Sequence, residues 1–197
     1  MKKNTIIRAL AGTLLAATAL SASAKTVQGD VGFVTVADLV IEQLQALSYG
    51  QTVLGTASTT CLSTPDSGTV TGAQLTGTVA PTLTELPIPV HSGTGCITAA
   101  NALAGVYKIT ASGTQAVKIT VASLAAGGDF DFSPAGYVMD SAGSAGAETI
   151  FFPDTPLTFT PTAGKVGVVV GGTITIGAAN LIANTPYSGQ FDITATY

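Results

Sequence analysis

A side-chain period of two constrains this chain more than any other feature. In its last stretch Phe191, Ile193, Ala195 and Tyr197 are apolar, and Gln190, Asp192, Thr194 and Thr196 are polar. Such alternation belongs to a strand with one buried and one wet face. The stretch Gly171 to Gly177 before it is also strand-like. The two read as strands joined by a turn, with the last one built into a core, its own or a partner's.

The same pattern recurs in short pieces. Val106 to Thr110 and Val117 to Val121 are β-branched runs split by Ser112-Gly113-Thr114-Gln115, which predicts a hairpin. Asp129 to Phe132 is a short strand closed by Pro134, with the Asp side chains wet and the Phe side chains in the core. Thr149 to Phe152 and Leu157 to Phe159 are short strands around Pro153-Asp154 and Pro156. Lys165 to Ile176 is a long strand with a bulge expected at Gly171-Gly172. Leu39 to Gly50 reads as a strand with a bend, and Ala99 to Leu103 as one helical turn. Pro87 and Pro89 restrict Leu83 to Val90 to an edge or extended loop, and His91 falls in the turn that follows. Beyond the first residues no long amphipathic helix is visible. Many short strands with turn signals between them predict an all-β sandwich or barrel.

The N-terminus reads as a cleaved signal peptide over residues 1–24. Lys2, Lys3 and Arg8 precede an apolar run from Ala9 to Leu20, and Ala22-Ser23-Ala24 fits a cleavage site. That run is too short for a spanning helix, and the mature chain shows no transmembrane segment. After cleavage four lysines stand against eleven acids, a formal charge of about −7. With no basic cluster, nucleic acid is not an expected partner. Residues 25–36 follow as a strand-like segment with Val27, Gly29, Val31 and Phe33 on one parity. They make either an ordinary first strand or one given to a neighbour. Residues 37–197 form the β-domain. Cys61 and Cys96 are the only cysteines, and in an exported chain they are expected to pair.

The search for chemistry excludes more than it finds. A hydrolytic triad needs a His as proton carrier, and His91 is the only one. No G-x-S-x-G accompanies it. Asp129 and Asp131 sit at i and i+2 but lack an EF-hand loop or a repeat for Ca²⁺. The glycine pairs lack the Lys and helix of a phosphate loop. The expectation is therefore no enzyme, no cofactor and no metal. A glycan-binding face normally displays aromatic platforms, and the chain has no Trp.

The ending Gly-Gly-Thr-Ile-Thr-Ile-Gly at 171–177, followed by Tyr187-Ser188-Gly189-Gln190-Phe191-Asp192-Ile193-Thr194-Ala195-Thr196-Tyr197, resembles that of a bacterial family of secreted β-domains of unknown function. Leu47-Ser48-Tyr49-Gly50 resembles the end of that family's opening strand. The final strand is also similar to that of subunits of archaic chaperone–usher pili and spore-coat-type proteins. Those are incomplete immunoglobulin-like sandwiches, completed by a neighbour's N-terminal strand. The resemblance implies an immunoglobulin-like β-sandwich and a pilin-like structural subunit of a surface filament or adhesive layer. It implies Val27, Gly29, Val31 and Phe33 as donor residues and Phe191, Ile193, Ala195 and Tyr197 as the receiving strand. The implied partners are further copies of the chain and a periplasmic chaperone or usher. The cysteines of such pilins tie the first two strands, whereas Cys61 and Cys96 lie later. Two alternatives stand beside this reading: a monomeric extracellular or periplasmic module for a glycan or small ligand, and a small outer-membrane β-barrel.

Overall fold

In a computed structural model of the chain the described residues are 38–66, 89–97, 101–124, 128–140, 148–161 and 164–197. All fall within one compact unit, Val36–Tyr197. The leader and the donor residues Val27, Gly29, Val31 and Phe33 lie outside the described residues. The fold is all-β, with no helix among the described residues. Its ten strands are β1 (Val40–Gln45), β2 (Thr60–Thr64), β3 (Val90–Ser92), β4 (Gly105–Thr110), β5 (Val117–Val121), β6 (Phe130–Asp140), β7 (Thr149–Phe151), β8 (Leu157–Phe159), β9 (Lys165–Ile176) and β10 (Ile193–Thr196).

They form a β-sandwich of two unequal sheets. The larger has seven strands and the smaller has three in the order β10-β5-β8. Strand β9 is the axis of the large sheet. One of its edges pairs with β6 without a break from Phe130↔Ile176 to Asp140↔Val166. Its other edge is shared: β4 pairs with Lys165 to Val170, and β2 pairs with Gly172 to Thr175. Beyond β4 lies β1, beyond β2 lies β3, and beyond β6 lies β7.

Both faces of β9 are buried, which explains its near-continuous Val run. Val166, Val168 and Val170 join Ile109, Val138 and the inward Val117, Ile119 and Val121 of β5 in the main core. Val169 points the other way, into a second cluster with Val106, Tyr137 and Met139. Each such inward aliphatic side chain contributes roughly 1.5–3 kcal/mol relative to an exposed one.

The expected bulge at Gly171-Gly172 does not occur, since the register against β6 runs straight through. The pair instead marks the point where the other edge changes partner. A Cβ on Gly171 would strike the Ser63 carbonyl, and one on Gly172 would strike the Ser133 carbonyl. Gly172 also holds a φ of +145°, which L side chains rarely adopt.

Edge occupancy corrects two further expectations. The runs at 106–110 and 117–121 are not a hairpin. Both edges of β4 are taken, by β1 and β9, so Ala111 to Ala116 arches over and β5 enters the other sheet. The two C-terminal strands are not a pair either. Both edges of β9 are filled, so β10 lies against β5.

Pro134 does not close a strand but sits inside β6. Phe132 accepts a hydrogen bond from the Leu124 N–H (3.0 Å) on the edge away from β9. Pro134, two residues on, turns its nitrogen to that same outer edge and breaks no bond of the β6–β9 ladder. His91 lies in β3 and not in a turn. The expected bend in the opening strand appears as a register shift in β1 between Gln43 and Gln45.

The predicted disulfide is present. Cys61 on β2 bonds Cys96, just past β3, with a Cα–Cα distance of 4.9 Å and a sequence separation of 35. A loop of that length contributes on the order of 3–4 kcal/mol in the chain-entropy description.

Replacing Gly172 by Ala is expected to cost about 3 kcal/mol or more, through strain and backbone overlap together. At Gly128 an added Cβ meets nothing within 4 Å, and Gly128→Ala should shift stability by less than about 0.5 kcal/mol. Urea denaturation of both variants checks this; equal midpoints would contradict it.

Candidate assembly site: an open edge and a seam cleft

The small sheet is too narrow to cover the inner face of the large one. β4 leads into β5 and β8 leads into β9 by short arches, so β5 lies over β4 and β8 over β9. That places β10, beyond β5, on the same flank as β1, beyond β4. The edge-to-face contact of Phe191 with Tyr107 of β4 (centroids 5.9 Å apart) fits this stacking. Among the described residues β1 pairs only with β4, and β10 only with β5. Both sheets therefore end in an open edge on one flank, with Val40 and Ile41 exposed there.

The backbone of β10 can be oriented from one hydrogen bond. The Ala122 N–H donates to the Asp192 carbonyl (2.8 Å). Alternation then turns the Thr194 and Thr196 backbone groups toward β5 and those of Ile193 and Ala195 away from it. The Ile193 and Ala195 side chains pack against the main core, as does Phe191. Phe191 precedes β10, and Tyr197, which follows it, is half-exposed. The Ser112 N–H donates to the Tyr197 hydroxyl (2.7 Å), which pins that end of the sheet to the β4–β5 arch.

The part of the inner face next to β2 and β3 has a different cover, the loop from Leu47 to Thr59. It is tied down by the Val53↔Cys96 bridge, with Cys96 itself bonded to Cys61 of β2, and by bonds from Leu54 N–H to the Gly95 carbonyl (2.7 Å) and from Ile97 N–H to the Thr52 carbonyl (2.8 Å). Tyr49 in this loop sets its ring edge-on to Phe132 and donates its hydroxyl to the Gly172 carbonyl (2.5 Å). Burial raises the Tyr49 hydroxyl well above its ordinary pKa of 10.0, so it stays a donor.

Where the two covers meet they leave a cleft of about 700 Å³. Phe130, Phe132, Ile174 and Ile176 form its floor. The Leu47–Thr56 loop makes one wall, and the stretch from Asn180 to Phe191 makes the other. That stretch is anchored by the Ala57 N–H on Asn180 Oδ1 (2.8 Å) and the Leu181 N–H on the Gly55 carbonyl (2.7 Å). Gly189 lies directly on Leu124 and Phe130, where a Cβ would clash. The lining contains no charged residue and no His, and its rim carries the amides Asn180, Asn184 and Gln190. A neutral, extended or aromatic group matches such a surface; an ion does not.

Asp131 is exposed and Phe132 is buried, as alternation predicts. Among the described residues no cluster of three His, Cys, Asp or Glu side chains gathers around Asp129 and Asp131. Asp154 has a structural use: it caps the Ser123 N–H and hydroxyl (2.9 and 2.7 Å), which lowers its pKa. Tyr187, Gly189 and Phe191, all within the C-terminal motif, line the cleft together. The wall from Leu47 to Thr56 was not legible, because nothing local marks a loop as cover for strands far away in sequence.

No protein-family model, curated protein or solved structure matches this chain.

His91 lies beside Tyr49, with ring centroids 6.1 Å apart, and burial lowers its pKa below the usual 6.5. The folded state thus binds the His91 proton less readily than the unfolded state. Its contribution to stability is complete above pH 6.5 and declines as pH falls toward the folded-state value. Between pH 7.5 and 5.5, His91→Phe should show a smaller loss of stability than the parent. Parallel denaturation curves at both pH values would contradict this.

Proposed function

We propose that this chain is an exported structural subunit of a cell-surface filament or adhesive layer, assembled by β-strand addition. The open flank carries the reading. β10 presents outward backbone groups at Ile193 and Ala195, beside β1, the open edge of the other sheet. An edge that can receive an extended segment offers main-chain hydrogen bonds for affinity and side-chain pockets for selectivity. The adjoining cleft supplies pockets with an apolar floor.

The sequence offers a matching segment. Within residues 25–36, Val27, Gly29, Val31 and Phe33 share one parity, and Asp30 falls on the other. In this reading the domain is an immunoglobulin-like sandwich, completed by that segment of a neighbouring copy. The likeness of the ending to pilin-type subunits supports the same assignment, with a periplasmic chaperone or usher as assembly partner. A signal peptide and a disulfide fit passage through an oxidising compartment.

A second reading is favoured by the cleft alone. Its volume and neutral lining are those of a site for an uncharged small ligand or glycan. In that case saturable binding occurs in a monomer. The outer-membrane barrel draws no support from two sheets with separate edges.

Ala195→Pro discriminates between these readings. It removes one outward N–H from β10 and leaves the bonds to β5 in place. The variant should fold with a modest change in melting temperature and lose self-association in light scattering and negative-stain microscopy. Assembly equal to the parent would overturn the proposal.

A further inference from the structure

Buried polar side chains in a sandwich nearly always have partners. Among the described residues Thr52 Oγ1, Ser63 Oγ and both ring nitrogens of His91 are buried and have none. Thr52 and Ser63 are fully buried, at 0% exposure. These groups are not scattered. Ser63 and His91 are opposite one another in the β2–β3 pair, so their side chains share a face. Ser63 is also opposite Gly172, whose carbonyl accepts the Tyr49 hydroxyl. The Tyr49 ring lies against that of His91, and Thr52 closes the turn after Tyr49 with its N–H on the Tyr49 carbonyl (3.1 Å). Ser63 and His91 thus share one face of the β2–β3 pair, and Thr52 belongs to the loop that carries Tyr49, held beside Cys96 by the Ile97 N–H on its carbonyl (2.8 Å).

The chemistry of the set selects the ligand. Two hydroxyls each donate once and accept, and a neutral imidazole offers one donor and one acceptor. No carboxylate, Lys or Arg belongs to the set, so neither a cation nor an anion is matched. A water molecule, with two donors and two acceptors, needs two to four such partners. Tyr49 lines the seam cleft, whereas Thr52, Ser63 and His91 do not. We propose that Thr52, Ser63 and His91 form an internal hydration site, in which an ordered water bridges the edge of the large sheet to the loop that covers it. The site is independent of the assembly reading, since none of its three residues lines the cleft or belongs to β1 or β10.

The sign of a stability change tests this. If the hydroxyls are bonded to water, deleting one loses hydrogen bonds and lowers stability. If the pocket is dry, deleting one removes an unsatisfied buried group and raises stability. Ser63→Ala and Thr52→Val should each lower the melting temperature by roughly 2–4 °C. The double variant should lose less than the sum, because both hydroxyls hold one water. Oxygen-17 magnetic relaxation dispersion counts long-lived internal waters directly. The parent and Thr52→Ser, which keeps the hydroxyl, should show one more than the double variant. A melting temperature that rises or stays unchanged in either deletion overturns the proposal. So does a dispersion amplitude equal in Thr52→Ser and the double variant, or an amplitude lost in Thr52→Ser.

Discussion

Strand β9 has two edges and two faces, and the fold depends on all four being occupied. β6 takes one edge along its whole length, and β4 and β2 divide the other. The division falls at Gly171-Gly172, where three backbones approach too closely for any side chain. The remaining strands must then be placed elsewhere. β5, β8 and β10 find no free edge on β9 and form a separate layer over the inner face of the large sheet. Three short strands cannot span a seven-stranded sheet. The shortfall is met over β2 and β3 by the loop bridged to Cys96, and at the junction by nothing but the stretch from Asn180 to Phe191.

That geometry turns a packing problem into a candidate assembly surface. The small layer stops at β10 because the chain supplies no further strand among the described residues, and the large sheet stops at β1 on the same flank. Edge strands of monomeric proteins are commonly blunted by charge, proline or a covering loop. β10 carries none of these within Ile193–Thr196, and its inward residues Ile193 and Ala195 are only half-buried. On β1, by contrast, Glu42 is engaged by Lys108 across the strand pair (2.6 Å). A partly exposed ion pair of this kind contributes little to stability but places charge on that edge. Such an asymmetry favours β10 as the strand that receives a partner.

Much of the local structure could be read from the sequence, because alternation reports directly on strands with one buried face. The strands around Val106, Val117, Phe130, Lys165 and Ile193 were all visible, and so was the Cys61–Cys96 pair. What was not visible was which strand sits beside which. Proximity in sequence suggested the 106–121 hairpin and the C-terminal pair, and both failed because edges already occupied exclude a sequence neighbour. Pro134 misled for a related reason: its effect depends on which edge of β6 its nitrogen faces, and only the Leu124–Phe132 bond reveals that. Half of the candidate site was legible, as the motif residues Tyr187, Gly189 and Phe191. The other half, Tyr49 and the rest of the Leu47–Thr56 wall, is created by contacts between segments over a hundred residues apart, such as Tyr49 to Gly172.

The most direct measurement is amide hydrogen exchange at Ile193 and Ala195, residue by residue, in the monomer and in the associated protein. An edge open in the monomer and filled on assembly exchanges rapidly at both residues before association and is protected afterwards, while Thr194 and Thr196, bonded to β5, are slower throughout. Protection of Ile193 and Ala195 already in the isolated monomer, or rapid exchange at both in the assembled state, would contradict it.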